Sequence, residues 1–248
     1  MKRFNATNQI IQSLWIGDEL SPMELLCIQS FIQNGHDFHL YIYNDLQNAP
    51  EKVFLMDANE IIPEGKIFKD SRGGVSSFAD WFRYQLIFDK GGWWVDMDSV
   101  CLKYFDFESE YCFSTEKPHY PHKQALINNG FIKSPPMADY LADILNYINS
   151  IDHSEIMWGE LGPRLLRAVL KYYQNEKYLE PPETFCPVNW DEIYKLTTDG
   201  QELIDANHSY AIHLWNEMWR VQELDKNKVY HPDSLFEKLK KKYSVLPN

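Results

Sequence analysis

Asp96 and Asp98 stand two residues apart behind the apolar run Trp93-Trp94-Val95. Along a strand, positions i and i+2 project to the same face with Cα atoms roughly 6.6 Å apart, so this spacing predicts two carboxylates aimed at one point. That is the geometry of a shared divalent cation. A solvated turn is the bland reading, but the bulky lead-in predicts a buried strand over 93–98 with the acids at its carboxyl end, where open α/β sheets bind ligands. Upstream, Asp80 lies three residues before Arg83 and four before Tyr84, so a helix puts all three on one face. A carboxylate there suits ribose hydroxyls, and a guanidinium fork suits a diphosphate. Taken alone, an ordinary helical ion pair contributing about 0.3–0.5 kcal/mol is the simpler account of Asp80 and Arg83.

The elements that must position these groups are visible in the pattern. Ile10 to Gly17 reads as a first strand. Ser21-Pro22-Met23-Glu24 has the signature of a capped helix start, with Ser21 as N-cap and Glu24 three residues on, and the helix runs to about Asn34-Gly35. Phe38 to Tyr43 reads as a second strand, and strand, helix, strand within so short a stretch is a βαβ unit that implies a parallel sheet. The stretch from Asn48 to Gly74 reads as loop. Ser76 and Ser77 open a helix over Phe78 to Lys90, stopped by Gly91-Gly92 directly before the Trp93 strand. Later signals are an Asn128-Asn129-Gly130 turn before Phe131 to Lys133, a helix from about Met137 to Ile148, and a second helix near Gly162-Pro163 reaching about Tyr173. Pro181 to Trp190 reads as extended, and Ser209 to Trp215 as a late strand.

Composition narrows the function classes. The 248 residues carry 24 Lys and Arg against 36 Asp and Glu, a formal charge of −12. Nucleic acid is therefore disfavoured as the main partner, because phosphate binding relies on clustered cations. With 44% hydrophobic and 24% charged residues, the chain is ordinary for a folded domain. No window has the length and apolarity of a membrane span, and Met1 to Asn5 is basic without an apolar stretch behind it, against a secretory signal. Cys27, Cys101, Cys112 and Cys186 form no CxxC pair and read as reduced, buried thiols in a cytoplasmic protein. The aromatic share is high, with 8 Trp, 15 Tyr and 14 Phe. Such rings serve cores first but also stack on sugars and bases.

Ser77-Phe78-Ala79-Asp80-Trp81-Phe82-Arg83-Tyr84 followed by Gly91-Gly92-Trp93-Trp94-Val95-Asp96-Met97-Asp98 resembles the DXD block of one group of glycosyltransferases, here called family 32-like. The group includes initiating α-mannosyltransferases, the α-1,4-galactosyltransferase that makes globotriaosylceramide and, more distantly, clostridial glucosylating toxins. Further blocks occur in family order: the opening strand with Trp15, the Gly-Pro helix in Trp158 to Leu166, the Phe-x-Pro segment in Pro181 to Pro187, and His-x-Trp in Tyr210 to Asn216. The resemblance implies an α/β fold of the GT-A type, a Rossmann-like mixed sheet flanked by helices. It implies transfer of a hexosyl unit with retention from a nucleotide sugar, a UDP-sugar by preference, to a glycan or lipid-linked acceptor, as in surface polysaccharide synthesis. By the same resemblance Trp15 stacks near the base, Asp80 holds ribose or sugar hydroxyls, Arg83 contacts donor oxygens, Asp96 touches the ribose and the metal side, and Asp98 ligates Mn²⁺ or Mg²⁺. Trp94 departs from the family's common Tyr, so the hydroxyl contact is lost while the ring can still pack on the donor. No nucleophile is assigned.

His213 on an apolar strand reads by itself as a structural histidine; the family block adds a role near the metal or diphosphate, with Trp215 on the donor. Asn129 is placed on the acceptor side, although Asn-Gly also suits a tight turn, and Glu160 reads as a helix N-terminal acid. Two rival functions remain open. Asp96-Met97-Asp98-Ser99-Val100 also fits the nucleophile motif of a haloacid-dehalogenase-type phosphatase, which needs a later acidic pair, and a non-catalytic sugar-binding protein is the third reading. Residues 1–224 are assigned to the transferase domain and 225–248 to a basic amphipathic tail, with Leu235, Phe236, Leu239 and Tyr243 in a stripe beside Lys238, Lys240, Lys241 and Lys242. This stripe suits docking on its own domain or peripheral contact with the inner face of an anionic membrane.

Overall fold

Gly91 and Gly92 both adopt positive φ, +67° and +88°, which turns the chain sharply out of a helix and into the strand that precedes the Asp pair. At Gly91 a side chain would collide with Pro136, whose Cδ lies 2.5 Å from where a Cβ would stand. The structure, a computed structural model, describes residues 6–118, 124–198, 204–205 and 207–245. Met1 to Asn5, read above for a leader, lie outside the described residues, as do 246–248 of the tail.

The strands are β1 (Ile10–Trp15), β2 (Asp37–Ile42), β3 (Phe54–Asp57), β4 (Gly92–Val95), β5 (Ser99–Cys101), β6 (Cys112–Glu116), β7 (Leu126–Ser134) and β8 (Ala211–His213). The helices are α1 (Pro22–Gln33), α2 (Ser76–Lys90), α3 (Asp139–Ser150), α4 (Leu165–Tyr172), α5 (Pro182–Phe185), α6 (Asn216–Val221) and α7 (Leu235–Lys242). Six strands form one sheet in the order β3-β2-β1-β4-β7-β6, and β5 pairs with β8 in a small second sheet. The β1, β2, β3 and β4 pairings are parallel, while β7 runs antiparallel to β4 and β6. This is the mixed sheet flanked by helices expected for a GT-A fold. The Ser21 capping box opens α1 as the sequence predicts.

Alternation along the strands sorts the core into two layers. Ile11, Trp93, Val95 and Phe131 face a cluster with α1, α7 and the segment from Phe185 to Trp219, while Leu14, Trp94 and Ile132 face one with α2, α3 and α4. The period of two thus sends neighbouring Trp93 and Trp94 to opposite layers. The aromatic excess serves these layers: Trp93, Trp94 and Trp219 are among the largest fully buried side chains.

Several expectations change. The strand read to Asp98 stops at Val95, and Asp96-Met97-Asp98 is a turn that carries the chain from one sheet to the other. Asn128-Asn129-Gly130 is not a tight turn but the buried middle of β7, at the irregularity in its pairing with β6, where Ser114 Oγ, Arg83 and the Asp96 N–H donate to its three carbonyls and override local turn preference. The loop read over 48–74 contains β3, an edge strand whose exposed Phe54 and Leu55 break the buried pattern that would have betrayed it. The helix expected from Met137 begins at Asp139, because Met137 sits at φ 57°.

The C-terminal stripe is buried. Leu235, Phe236, Leu239 and Tyr243 join the same core as α1, and the Tyr243 hydroxyl donates to the Cys101 carbonyl at 2.6 Å. Even Lys240 is buried, paired to Glu237 at 2.6 Å. The stripe over 235–243 therefore packs on the core that it shares with α1. No helix among the described residues is long and apolar enough to cross a membrane. The four cysteines are free and buried.

Candidate active site

The turn after β4 places Asp96 and Asp98 on two different supports. Asp96 lies two residues past Trp94 and shares its face: the Trp94 indole N–H donates to Asp96 Oδ1 at 2.8 Å. Behind Trp94 stands α2, whose Arg83 reaches Asp96 Oδ1 at 3.2 Å and Asp80 Oδ1 at 3.2 Å, with its guanidinium 5.0 Å from the Trp94 ring centre. Arg83 also donates to the Asn129 carbonyl, and Asn129 Nδ2 donates to Asp80 Oδ1 at 2.8 Å. Asp80, Arg83 and Asn129 are all buried, so the helical pair is no surface salt bridge but the fixed floor under Asp96. Burial pushes the Asp80 carboxyl up to about 6, against the pull of Arg83.

Asp98 is held from the other side. Its Oδ1 faces His213 Nε2 at 3.0 Å, and its Oδ2 accepts the Asn216 backbone N–H at 2.7 Å. The β5–β8 pairing supplies this contact, since Ser99 pairs with His213 directly after Asp98. Burial alone would raise the Asp98 carboxyl, yet the facing imidazolium, its hydrogen bond and the Asn216 N–H hold it down at about 2. His213 is the mirror case: burial disfavours its charge, and Asp98 outweighs burial and raises it well above the ordinary value. Trp215, at φ 60°, packs edge-on against the His213 ring at 4.1 Å and donates its indole N–H to the Val188 carbonyl at 2.9 Å.

His213 Nε2 also lies 3.9 Å from Asp96 Oδ2, and one ligand atom from each of Asp96, Asp98 and His213 falls within 4.8 Å of the others. Two carboxylate oxygens and an imidazole nitrogen form a donor set suited to Mn²⁺; hard, oxygen-seeking Mg²⁺ has less use for the imidazole. The backbone leaves space between these three groups. A Cβ on Gly130 would stand 3.2 Å from Asp96 Oδ2 and 3.4 Å from His213 Nε2, filling the space between them. A Cβ on Gly162 would likewise stand 2.9 Å from Asp80 Oδ2. Neither glycine has positive φ, so close approach rather than backbone freedom explains them.

Asp80, Arg83, Asp96, Asp98, Asn129 and His213 are thus brought together. Trp94 lies behind them as support, 2% exposed, with no face open to a donor. Trp15 ends β1 three residues past the Gln12–Trp94 pairing, at the same carboxyl end of these parallel strands, half-buried, with its indole N–H on the Glu19 carbonyl at 3.1 Å. Sequence reasoning missed Gly130, Gly162 as a wall of the site, and the Asn216 N–H; the Gly-Pro pair was visible, but nothing in sequence marks a backbone N–H. No carboxylate beyond Asp96 and Asp98 joins the metal-holding group among the described residues, which leaves the phosphatase reading without its acidic pair.

Residues 152–244, less than half the chain, match the model of the alpha 1,4-glycosyltransferase conserved region. No curated protein matches the chain. Among solved structures, a PaToxG glycosyltransferase superposes with a TM-score of 0.47 at 13% identity over 68% of this chain and 70% of that one. A transferase mutant does so at 0.45 and 11% over 68% and 86%. The apo form of the glycosyltransferase GlyE of Streptococcus pneumoniae TIGR4 does so at 0.47 and 10% over 96% and 60%. The family match includes β8, His213 and Asn216, so the chain carries a glycosyltransferase-like region on the Asp98 side of the site.

Proposed function

We propose that the protein is a metal-dependent retaining glycosyltransferase that moves a hexosyl unit from a nucleotide sugar to a glycan or lipid-linked hydroxyl. The observation that carries the reading is the convergence of Asp96, Asp98 and His213 beside the buried Asp80–Arg83 pair, within a chain whose second half matches a glycosyltransferase region. Asp96, Asp98 and His213 would hold Mn²⁺, which when bound offsets the charge that develops on the leaving diphosphate. Asp98 enters as a carboxylate already ionised and aimed by the Asn216 N–H. Asp80, held by Arg83 and Asn129, is positioned to accept from donor hydroxyls. Arg83 keeps Asp96 in place and lends positive charge to a site otherwise crowded with acids.

In the transfer, the bond from the anomeric carbon to the β-phosphate oxygen breaks and one to the acceptor oxygen forms on the same face. The acceptor proton passes to the departing diphosphate, in line with a site where no side chain is assigned as nucleophile. UDP as the nucleotide, and a cytoplasmic role in surface polysaccharide synthesis, follow from the family resemblance; four reduced, buried thiols suit that compartment.

The test is a thermal-shift and hydrolysis screen of UDP- and GDP-sugars with Mn²⁺, Mg²⁺ or EDTA. One donor with Mn²⁺ at 100 times its dissociation constant is expected to stabilise the protein by about 2.7 kcal/mol. Stabilisation that ignores EDTA, or none with any donor, defeats the reading.

A further inference from the structure

Trp158 is a large indole left 42% exposed in a protein that buries most of its aromatic rings. Its placement is engineered by neighbours rather than left to solvent. The Arg72 guanidinium lies 3.8 Å from the centre of its ring, and the Trp158 backbone N–H donates to Ser71 Oγ at 3.1 Å. Ser71 in turn donates its backbone N–H to the Ile156 carbonyl at 3.2 Å. Directly after Trp158, Gly159 at φ +76° reverses the chain, and Glu160 Oε2 accepts the Met157 N–H at 3.0 Å, which closes the turn.

Arg72 continues the row. Its Nη1 lies 3.4 Å from Glu217 Oε1, and Glu217 is further gripped by Arg220 at 2.6 Å. The row runs across the rim of the site. At one end Glu217 is adjacent in sequence to Asn216, which holds Asp98. At the other, the Trp158 turn leads into Gly162, which lies against Asp80. A partly open indole with one face backed by a guanidinium, itself held by a carboxylate, presents its other face as a flat apolar surface of the kind that covers the C–H face of a pyranose. An indole kept exposed by design also carries little ordering cost when a ligand lands on it.

We propose that Trp158, Arg72 and Glu217 form the platform that binds the acceptor, a terminal pyranose, at the rim of the Asp96–Asp98–His213 cluster. The inference rests on the transferase reading above for the word acceptor, but the sugar contact stands or falls by itself. Because one face of the indole is taken by Arg72, the sugar lies on the other, and Glu217 acts by holding Arg72 against the ring.

Saturation-transfer NMR tests this with the methyl α- and β-pyranosides of glucose, galactose and mannose as probes, with UDP and Mn²⁺ present. At least one glycoside is expected to receive saturation, reduced about fivefold in Trp158→Ala and in Glu217→Gln and largely retained in Trp158→Phe, the size of an aromatic contact. Calorimetry of UDP with Mn²⁺ on the same variants is expected to be unchanged, and their melting temperatures to match the parent. If no glycoside is saturated, or saturation is the same in Trp158→Ala, the platform is wrong whatever the donor result. If UDP with Mn²⁺ fails to bind the parent while Trp158-dependent saturation persists, the platform stands and the transferase reading fails.

Discussion

Two buried histidines divide the molecule between scaffold and site. His36 is 3% exposed and His213 is 6% exposed, so burial alone cannot tell them apart. What differs is the company. The His36 Nδ1–H donates to the Asn8 carbonyl at 2.9 Å, its Nε2 accepts the Phe105 N–H at 3.1 Å, and its ring stacks on Tyr104 at 4.4 Å. One donor and one acceptor satisfy a neutral imidazole, and burial lowers its pKa to about 4. His213 Nε2 faces carboxylates, Asp98 at 3.0 Å and Asp96 at 3.9 Å, which favour charge on the ring or a cation in its place. The lesson is that a buried histidine is saturated as scaffold when backbone groups take both ring nitrogens, whereas one whose Nε2 is turned to carboxylates is poised for charge or a cation.

The sharpest way to break this contrast is to remove the acid. Asp98→Asn should lower metal-dependent transfer by about 10²–10³-fold and bring the His213 pKa down, read by kinetics and by NMR titration of the ring. Retained transfer would put Asp98 outside the reaction. Next in size, Gly130→Ala should weaken Mn²⁺ binding by about tenfold in calorimetry, because the new methyl lies 3.2 Å from Asp96 Oδ2 and 3.4 Å from His213 Nε2. Unchanged affinity would mean the ion lies elsewhere. Trp94→Phe keeps the packing but removes the N–H that aims Asp96, so Mn²⁺ affinity should fall only severalfold.

On the scaffold side, His36→Ala should leave Mn²⁺ binding unaltered and change stability alone. The sign of the pH effect follows from the shift. With a folded pKa near 4 and an unfolded value near 6.5, the unfolded chain binds a proton that the native state refuses, so stability falls as pH drops from about 6.5 to 4. That contribution is on the order of 3 kcal/mol, measurable by denaturant melts across this range, and the slope should flatten in His36→Ala. A flattened slope in a His213 variant instead would reverse the assignment of the two rings.

Legibility followed locality. The Ser21 capping box, the Gly91-Gly92 stop and the Asp80–Arg83 spacing all involve neighbours within four residues, and each appears where the pattern put it. The stripe of Leu235, Phe236, Leu239 and Tyr243 was visible as a stripe, yet whether it met lipid or protein depended on α1 and Cys101, more than a hundred residues away. Asn129-Gly130 misled because the dipeptide favours a turn in isolation, while Arg83 and the Asp96 N–H, both distant in sequence, take its two carbonyls and hold it extended in β7. Trp94 was read as a donor contact from its block, and its burial behind Asp96 depended on α2 packing over β4.

By itself the sequence determined which groups are charged, which face of each helix and strand is apolar, and that two aspartates follow a buried strand. Those are properties of residue type and of periods of 3.6 and 2, written in the chain. Only the tertiary structure decided that Asp96 and Asp98 meet through a turn rather than along a strand, and that His213 closes on them from 115 residues away. It also decided that two glycines keep space open beside the acids. The physical reason is that a metal-holding geometry is set by distances across sheets and between layers, and no local spacing encodes those distances.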